Sequence, residues 1–287
     1  MSLHHPTPPT VQSLLSEARE ALGRASFKPS RREATLLLAK VLHLSEAQVR
    51  ARTDQSVSQE QAAHFHQLLA RRLRGEPVAY LFENKEFYGR DFYVDSRVLV
   101  PRPETEHLIE AALACHLPSN PRILDIGTGS GCIAITLALE YPTASVVATD
   151  LSLDALQVAH RNRARHRVHD RVDLVSADLL GGLRPNFDLV VSNPPYISPA
   201  DGPTLSPEVR EFEPPLALFA DAEGLHLVEA LIHSLERFRP GTPMLMEIGH
   251  DQSELIRQRL KNHSRVVLEK VVEDYAGIPR TILLRRR

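Results

Sequence analysis

Four consecutive residues, Asn193, Pro194, Pro195 and Tyr196, have the types and order that would suit chemistry on a nitrogen atom. They follow an apolar run, residues 189–191, that is typical of a buried strand, and two prolines cannot continue a strand because each lacks an N–H and fixes φ. The amide, nearby carbonyls and the ring are therefore held where open α/β sheets bind ligands. These groups suit a planar –NH2 group. A strand-ending turn with a packed Tyr is the alternative for the tetrapeptide alone.

A glycine-rich segment follows an earlier predicted strand and precedes a predicted helix. Its members are Gly127, Thr128, Gly129, Ser130 and Gly131. Glycines let the backbone turn tightly and approach a ligand closely. The dinucleotide fingerprint is incomplete, because Cys132 stands where its third glycine would be, and no P-loop lysine follows. The pattern therefore disfavours NAD, FAD and P-loop nucleotides, and a generic turn is the alternative for the glycines alone.

Two acidic residues end or follow the next predicted strands. Asp150 is placed to accept hydrogen bonds from both hydroxyls of a ribose, and Asp178 to meet an exocyclic amine of an adenine. A solvated turn residue is the alternative for Asp178. A site with these carboxylates and no phosphate-binding lysine suits a ligand with a ribose, an amine and a positive centre. S-adenosylmethionine fits that description.

The elements that must position these residues alternate between strand and helix. Strands are predicted at residues 122–126, 145–149, 172–176, 187–191, 243–247, 266–272 and 281–284, and helices at 132–140, 153–166, 224–238 and 251–260. This alternation predicts an α/β fold with a mostly parallel sheet covered on both faces. Residues 198–222 form a long proline-rich segment, which we expect to be a lid or binding loop.

The first 75 or so residues have helical periodicity and predict a small bundle of four helices. Ser45 is a candidate cap for the third helix, and Ser58 with Gln61 forms a capping box for the fourth. Residues 87–94 predict a β-hairpin. We therefore expect an N-terminal helical recognition domain at 1–76, a hairpin-containing linker at 77–106 and a catalytic domain at 107–287.

Composition narrows the class of protein. The net charge is −2 and the pI about 6.7, so no global basic field predicts direct, stable nucleic-acid binding. Two cysteines provide no disulfide framework, and we expect no metal site. Without an apolar run of membrane-spanning length or a signal-peptide pattern, we expect a soluble cytoplasmic protein with no membrane partner. The basic run at 161–167 predicts a solvated helix end, with RNA contact as the less favoured alternative.

Taken together, the glycine segment, Asp150 and the Asn-Pro-Pro-Tyr sequence resemble class I S-adenosylmethionine-dependent methyltransferases that act on amino or amide nitrogen. Further segments resemble one family of these enzymes, the bacterial peptide chain release factor N(5)-glutamine methyltransferases, or HemK/PrmC family. They are residues 75–80, 86–89, 100–106, 123–133, 191–197, 213–225 and 247–249. The resemblance covers nearly the whole chain from about Gly75 onward.

The resemblance implies a Rossmann-like catalytic domain with a seven-stranded, mostly parallel sheet, and a helical N-terminal domain that helps to recognise the substrate. It implies S-adenosylmethionine as cofactor and, as substrate, the glutamine of the Gly-Gly-Gln motif in class 1 release factors. The cofactor site would comprise Gly127, Thr128, Gly129, Ser130, Gly131, Asp150, Asp178, Leu179 and Asn193. Asn193, Pro194, Pro195 and Tyr196 would hold the glutamine, with Asn193, Pro194 and Tyr196 as the catalytic set. Leu179 departs from the family, which often has an aromatic residue there.

Three alternatives remain open at this stage. A ribosomal-protein glutamine methyltransferase would act on the same chemical group. An adenine-N6 methyltransferase on DNA or RNA would use the same turn, because an exocyclic adenine amine is also a planar –NH2, but it needs a base-flipping pocket and a positive groove. A binding module for translation factors could retain the fold without catalysis.

Overall fold

The computed structural model describes residues 8–25, 31–220 and 224–287, which divide into two compact units. The first unit contains the described residues up to Phe82 together with the segment Ser206–Phe212. The second contains Glu83–Leu205 and Glu213–Arg287. Residues 221 and 222, the end of the predicted lid, lie outside the described part of the chain. Within the described residues, no helix has the length and apolarity needed to cross a membrane.

The first unit is helical, as predicted. Its helices are α1 (Val11–Gly23), α2 (Arg31–Leu42), α3 (Glu46–Ala51), α4 (Gln59–Leu73) and the short α5 (Val78–Phe82). Both predicted caps are confirmed: the Ser45 hydroxyl accepts from Gln48 N at 3.2 Å, and the Ser58 hydroxyl accepts from Gln61 N at 3.2 Å. One apolar face of each longer helix packs into a common core, which is what their sequence periodicity requires.

A further helix of the first unit comes from the predicted lid. Helix α9 (Pro207–Phe212) carries Glu208, whose carboxylate lies 3.0 Å from the Arg72 guanidinium. Arg72 is only 2% exposed and also donates to Glu33 at 2.6 Å. A buried guanidinium needs such acceptors, and they come from distant parts of the chain. The predicted loop therefore contains a helix that is built into the helical unit.

The second unit begins with the predicted β-hairpin. Its strands, β1 (Lys85–Phe87) and β2 (Arg90–Phe92), pair antiparallel around Tyr88 and Gly89. The ladder starts two residues earlier than the sequence predicts. The inward-facing Phe87 and Phe92 pack edge to face, with ring centroids 6.1 Å apart, and belong to the core of this unit.

A seven-stranded sheet forms the centre of the second unit. Its strands are β3 (Arg122–Ile126), β4 (Ser145–Asp150), β5 (Val172–Ser176), β6 (Leu189–Ser192), β7 (Pro243–Glu247), β8 (Val266–Glu273) and β9 (Pro279–Arg286). Their order is β5-β4-β3-β6-β7-β9-β8, and only β9 runs antiparallel to its neighbours. The predicted mostly parallel sheet is confirmed. The strand order reverses between β3 and β6, so their carboxyl ends flank the crevice where such sheets bind ligands.

Helices cover both faces of the sheet. On one face lie α6 (Glu106–Leu113) and α7 (Cys132–Glu140), with α8 (Leu153–Arg165) packed against α7. On the other lie α10 (His226–Leu235) and α11 (Gln252–Leu260). Helix α6 is absent from the sequence prediction, because its eight residues directly follow a proline-rich stretch and contain too few turns for a clear period. It packs against α7 and β7.

One buried amide ties the hairpin to the glycine-rich segment. Asn162, on α8, is fully buried; its Oδ1 accepts from Tyr93 N at 2.7 Å. Its Nδ2 donates to Tyr93 O at 2.9 Å and to Ser130 O at 2.8 Å. The asparagine therefore satisfies three backbone groups that would otherwise be buried without a partner.

The basic run at the end of α8 contacts the hairpin segment. The Arg161 guanidinium lies 3.4 Å from the centroid of the Tyr93 ring, and Arg165 donates to Asn84 Oδ1 at 3.0 Å. These side chains remain partly exposed, so the predicted solvated face is also a packing surface for the hairpin. Arg161 thus forms a cation–π contact and Arg165 a hydrogen bond within the second unit.

We expect Asn162→Ala to lower the free energy of unfolding by about 2–4 kcal/mol, because it leaves buried backbone groups unpaired. Urea denaturation of the purified protein measures this change. The matched control is Asn262→Ala at an exposed turn, where a change within about 0.5 kcal/mol is expected. Equal effects of the two substitutions would contradict the assigned role of Asn162.

Candidate active site

A cavity of about 190 Å³ lies at the carboxyl edge of the sheet, where β3, β4, β5 and β6 end. Most of the residues that the sequence predicts for a site line it together: Gly127, Thr128, Gly129, Ser130, Asp150, Asp178, Leu179, Asn193, Pro194 and Pro195. Two predicted residues, Gly131 and Tyr196, are not part of the lining. The predicted groups from four different strand ends therefore meet around one space.

The glycine loop (residues 127–131) forms an open cradle. Gly127 and Gly129 have φ values of +74° and +55°, and a Cβ at either position would meet no atom within 4 Å. The space that side chains would fill is thus left free next to the cavity. Gly131 has a different place: it begins α7, and a Cβ there would lie 3.0 Å from Ile135 Cδ1 and 3.3 Å from Ala159 Cβ. Its smallness lets α7 pack against α8.

Asp150 presents its carboxylate to the cavity in a fixed orientation. Oδ2 accepts from Gly129 N at 2.8 Å and Oδ1 accepts from Ser152 N at 2.9 Å. Burial raises the pKa of Asp150, although these backbone donors favour the charged form. Each oxygen keeps a further acceptor direction. The group is therefore suited to accept from a pair of neighbouring hydroxyls.

Asp125 is a second carboxyl group under the glycine loop. It is fully buried within β3, and its Oδ2 accepts from Thr128 Oγ1 at 2.6 Å. Burial raises the pKa of Asp125 to about 7. A positive group placed nearby would favour the ionised form. Sequence reasoning gave Asp125 no role, although an acidic residue inside an apolar strand just before the glycines is the signal that marks it.

Leucine side chains form apolar parts of the lining. Leu151, directly after Asp150, lines the cavity and is 57% exposed. Leu179 lines it from the β5 end, beside the exposed Asp178. These surfaces are suited to a flat apolar ring, and Leu151 is a residue that sequence reasoning missed.

The Asn-Pro-Pro-Tyr turn (residues 193–196) is anchored by side chains from distant segments. Asn193 Nδ2 donates to Thr105 Oγ1 at 3.2 Å, and Thr105 Oγ1 donates to Glu247 Oε2 at 2.6 Å. The Tyr196 hydroxyl donates to the other carboxylate oxygen, Oε1, at 3.1 Å. Glu247 is 2% exposed, and burial raises its pKa. Burial, with the neighbouring Glu247, also raises the pKa of Tyr196.

A second set of contacts holds the end of the turn. Gln252 Nε2 donates to Tyr196 O at 3.1 Å and to Gly224 O at 3.3 Å, while its Oε1 accepts from Gly249 N at 2.9 Å. A Cβ on Gly224 would lie 2.1 Å from Tyr196 O. The close approach of these two backbones therefore requires glycine. Neither Gly224 nor Gln252 has a local sequence signal for this role.

The predicted lid returns to the turn after residue 212. Ile197 N donates to Leu218 O at 3.1 Å, and Ala220 N donates to Ile197 O at 2.9 Å. The lid contains two 3₁₀ segments, Pro199–Thr204 and Pro215–Ala217, in addition to α9. Leu216, in the second of them, lines the cavity and is 55% exposed.

A buried carboxylate joins this returning segment to the chain before α6. Glu213 is 3% exposed and lies 2.5 Å from the Arg102 guanidinium. Its other oxygen accepts from Val100 N at 3.4 Å. The segment that carries Thr105 is therefore held at both of its ends, by Glu213 and by Glu247.

The groups that line the cavity are suited to hold ligands in a fixed position and orientation. The described residues that line it include no histidine and no lysine; the acidic and basic side chains there are Asp150, Asp178 and Arg97. The cavity supplies fixed carboxylates, an amide, proline carbonyls and apolar walls. Such a set binds a polar ligand with an aromatic part and orients a second group by hydrogen bonds.

Two family models match the chain. One, described as the PrmC N-terminal domain, matches residues 13–82, and the other, described as a methyltransferase small domain, matches residues 108–204. Among curated proteins, the release factor glutamine methyltransferase of Koribacter versatilis is 38% identical, over 96% of this chain and 99% of the relative. That of Nitratidesulfovibrio vulgaris is 41% identical, over 96% of this chain and 95% of the relative.

Solved structures share the fold. A methyltransferase from Pyrococcus furiosus superposes with a TM-score of 0.51 at 20% identity, covering 76% of this chain and 96% of its own. At this identity the likeness concerns the fold alone. It agrees with a class I methyltransferase architecture for the second unit.

We expect Gly224→Ala to destabilise the protein more than the same change at Gly241. Both glycines have positive φ, +79° and +87°, so both substitutions introduce backbone strain of about 1–2 kcal/mol. Only at position 224 does the added Cβ also meet backbone atoms, which adds about 1–3 kcal/mol. Urea denaturation measures both variants. Equal losses would mean that the turn accommodates the methyl group without strain.

Proposed function

Because the chain belongs to the family of release factor glutamine methyltransferases, we propose the following reaction for it. The protein transfers a methyl group from S-adenosylmethionine to the side-chain amide nitrogen of a glutamine. That glutamine lies in the Gly-Gly-Gln motif of class 1 peptide chain release factors, so the reaction supports translation termination. The observation that carries the proposal is the Asn-Pro-Pro-Tyr turn, with Asn193 held by Thr105 beside the glycine loop.

The residues of the cavity fit S-adenosylmethionine. The open cradle at Gly127 and Gly129 leaves room for the ligand to lie against the backbone, and Thr128, Ser130 and the start of α7 at Gly131 complete the loop. Asp150 would accept from the ribose hydroxyls with both of its oxygens, and Asp178 and Leu179 would face the adenine. When bound, S-adenosylmethionine supplies an electrophilic methyl group on a positively charged sulfur.

The turn prepares the glutamine amide for reaction. An amide nitrogen is a weak nucleophile because its lone pair is delocalised into the carbonyl. In the proposed complex, Asn193 Oδ1 and the Pro194 carbonyl accept the two amide protons, while Pro195 and Tyr196 confine the flat side chain. The nitrogen would thereby be aimed at the methyl group; the N–C bond would form as the S–C bond of the cofactor breaks, S-adenosylhomocysteine would leave, and one amide proton would pass to water. Positioning of this kind contributes several kcal/mol, and fixed dipoles add to it.

The alternative substrates differ in the nitrogen-containing group that the Asn-Pro-Pro-Tyr turn would bind. A ribosomal-protein glutamine offers the same amide, and an adenine offers an aromatic amine. The names of the full-length relatives favour the release factor, and the net charge of −2 disfavours a nucleic-acid substrate. Incubation with labelled S-adenosylmethionine and, separately, a class 1 release factor, ribosomal protein or DNA distinguishes them. A release factor with glutamate in place of the motif glutamine is the control that must stay unlabelled.

We expect Asn193→Ala to lower kcat for release-factor methylation by about 100-fold or more, because one fixed acceptor of the amide protons is lost. The matched control is Asn186→Ala, at an exposed position before β6, which should leave kcat within about twofold. Urea denaturation shows whether both variants fold. Unchanged turnover in a folded Asn193→Ala protein would refute the proposed grip on the amide.

We expect Asp150→Ala to raise the Kd for S-adenosylmethionine by about 10-fold or more, since hydrogen bonds to a charged acceptor contribute about 1.5–3 kcal/mol each. Asp154→Ala removes the same charge from an exposed position on α8, and we expect it to change the Kd by less than about twofold. Isothermal titration calorimetry measures both. An equal Kd for S-adenosylmethionine in Asp150→Ala and the wild type would refute the proposed role of Asp150 in binding the cofactor.

A further inference from the structure

The buried carboxylate of Glu247 is linked by hydrogen bonds to two side chains of the Asn-Pro-Pro-Tyr turn, Asn193 and Tyr196. One Glu247 oxygen, Oε2, receives the Thr105 hydroxyl at 2.6 Å, and that hydroxyl oxygen receives Asn193 Nδ2 at 3.2 Å. The other, Oε1, receives the Tyr196 hydroxyl at 3.1 Å. The chain of hydrogen bonds runs from the cavity lining through the segment before α6 to the end of β7.

The donor and acceptor properties of these groups allow only one direction for the hydrogen bonds from Asn193 through Thr105 to Glu247. An ionised carboxylate only accepts hydrogen bonds, so the single hydroxyl proton of Thr105 must point at Glu247. Thr105 Oγ1 can then only accept from Asn193. The amide of Asn193 must therefore turn its Nδ2 toward Thr105, and its Oδ1 away from it. The same carboxylate requires Tyr196 to be the donor in the second bond.

We propose that Glu247 is a positioning residue for methyl transfer: acting through Thr105, its carboxylate fixes the Asn193 amide so that Oδ1, and not Nδ2, faces the reacting nitrogen. The inference rests on the proposed function, because only an –NH2 substrate needs an acceptor at that place. An amide that presented Nδ2 would place donor against donor and would repel the substrate. Glu247 touches neither substrate nor cofactor in this scheme.

The type of residue at position 247 supports a directional role. Glu247 is 2% exposed, and its two carboxylate oxygens accept from the hydroxyls of Thr105 and Tyr196. A carboxylate kept in such a place with hydroxyl donors costs stability. A glutamine of the same shape would be easier to bury, but its –NH2 would face one of the two hydroxyls. Only the carboxylate accepts at both oxygens.

Protonation of Glu247 should reverse the direction of the hydrogen bonds that join it to Thr105 and Asn193. Burial raises the pKa of Glu247, so its carboxyl gains a proton as the pH falls toward that value. A protonated carboxyl can donate to Thr105, whose own proton is then free to turn toward Asn193, which would present Oδ1 to it. The charged and titratable groups whose fields couple to Glu247 are Arg280 on β9, Glu104 before α6, Cys132 on α7 and Tyr196 itself. We therefore expect kcat to fall on the acidic side.

The test compares Thr105→Val, Thr105→Ser and Glu247→Gln with the wild type. Thr105→Val keeps the side-chain shape but removes the hydroxyl, Thr105→Ser restores a hydroxyl, and Glu247→Gln removes the acceptor-only group. We expect Thr105→Val and Glu247→Gln to lose kcat by about 10-fold or more with the KM for release factor and the Kd for S-adenosylmethionine within about twofold. Thr105→Ser should recover most of the loss. The acid limb of the kcat profile should be absent in Glu247→Gln.

A second readout follows the orientation of the amide without any substrate. The chain has six asparagines, so selective ¹⁵N labelling gives few side-chain signals; they are Asn84, Asn120, Asn162, Asn186, Asn193 and Asn262. The Asn193 –NH2 signal, assigned by its loss in Asn193→Asp, should shift with pH along the acid limb of kcat in the wild type. It should not titrate in Glu247→Gln, and in Thr105→Val the Asn193 Nδ2 proton that bonds to Thr105 should lose this acceptor and shift its signal.

The outcomes separate the two claims. If the wild type methylates none of the offered substrates, the proposed function fails, while the Asn193 signal still decides whether Glu247 sets the amide. If Thr105→Val keeps kcat and the Asn193 signal of the wild type, or if Thr105→Ser is impaired as strongly as Thr105→Val, the positioning role is refuted. Should Thr105→Val not fold, a wild-type Asn193 signal that does not change with pH overturns the proposal by itself.

Discussion

The burial of carboxyl groups at the carboxyl edge of the sheet is the constraint that organises this molecule. Carboxylates in a low-dielectric interior need donors, and a charge without them is costly. Here the donors come from a different segment for each acid. Asp125 meets the Thr128 hydroxyl, and Asp150 meets backbone N–H groups on two loops. Each hydrogen bond therefore fixes a loop at the same edge, and the cavity is the space that these loops leave between them.

The more distant acids extend the same principle. Glu247 holds the Asn-Pro-Pro-Tyr turn to the segment before α6, and Glu213 holds that segment to the returning lid. Among these carboxylates, and within the residues that the structure describes, Glu213 is the one in a salt bridge, with Arg102. The others rely on hydroxyl and backbone donors, which have direction as well as charge. A site built from directional donors specifies how groups are turned and not only where they lie.

Two of the six asparagines in the second unit show how the same side chain can stabilise the fold or, as proposed for Asn193, bind a substrate. Asn162 uses its oxygen and both amine protons inside the protein, and it joins three backbone groups. Asn193 bonds through Nδ2 to Thr105 and lies at the cavity wall. Asn162 is buried, and its oxygen and its –NH2 group are both hydrogen-bonded within the protein. Asn193 has its Oδ1 available to accept a hydrogen bond from a ligand in the cavity. The bonding of Asn162 accounts for a structural role, and the position of Asn193 at the cavity wall supports the role proposed for it.

Local patterns in the sequence predicted the strands of the sheet and the loops at their ends, because apolar runs, glycines and prolines act over a few residues. Short elements escaped: α6 has eight residues and α9 six, too few for a period. The partners of the turn escaped for another reason. Thr105 is 88 residues from Asn193, and Glu247 is 51 from Tyr196, so only the folded sheet brings them together. Gly224 and Gln252 likewise act through a close approach that no local pattern records.

Helix α9 has a consequence for how this protein can change over generations. Its residues are grouped with the first unit, while the chain on either side of it is grouped with the second, so the polypeptide passes between the units three times. A recombination event at residue 82 would carry away Arg72 with its partner Glu33 but leave behind Glu208, the other carboxylate that pairs with Arg72. We therefore expect an exchange of the N-terminal unit to keep its packing only when α9 is exchanged with it.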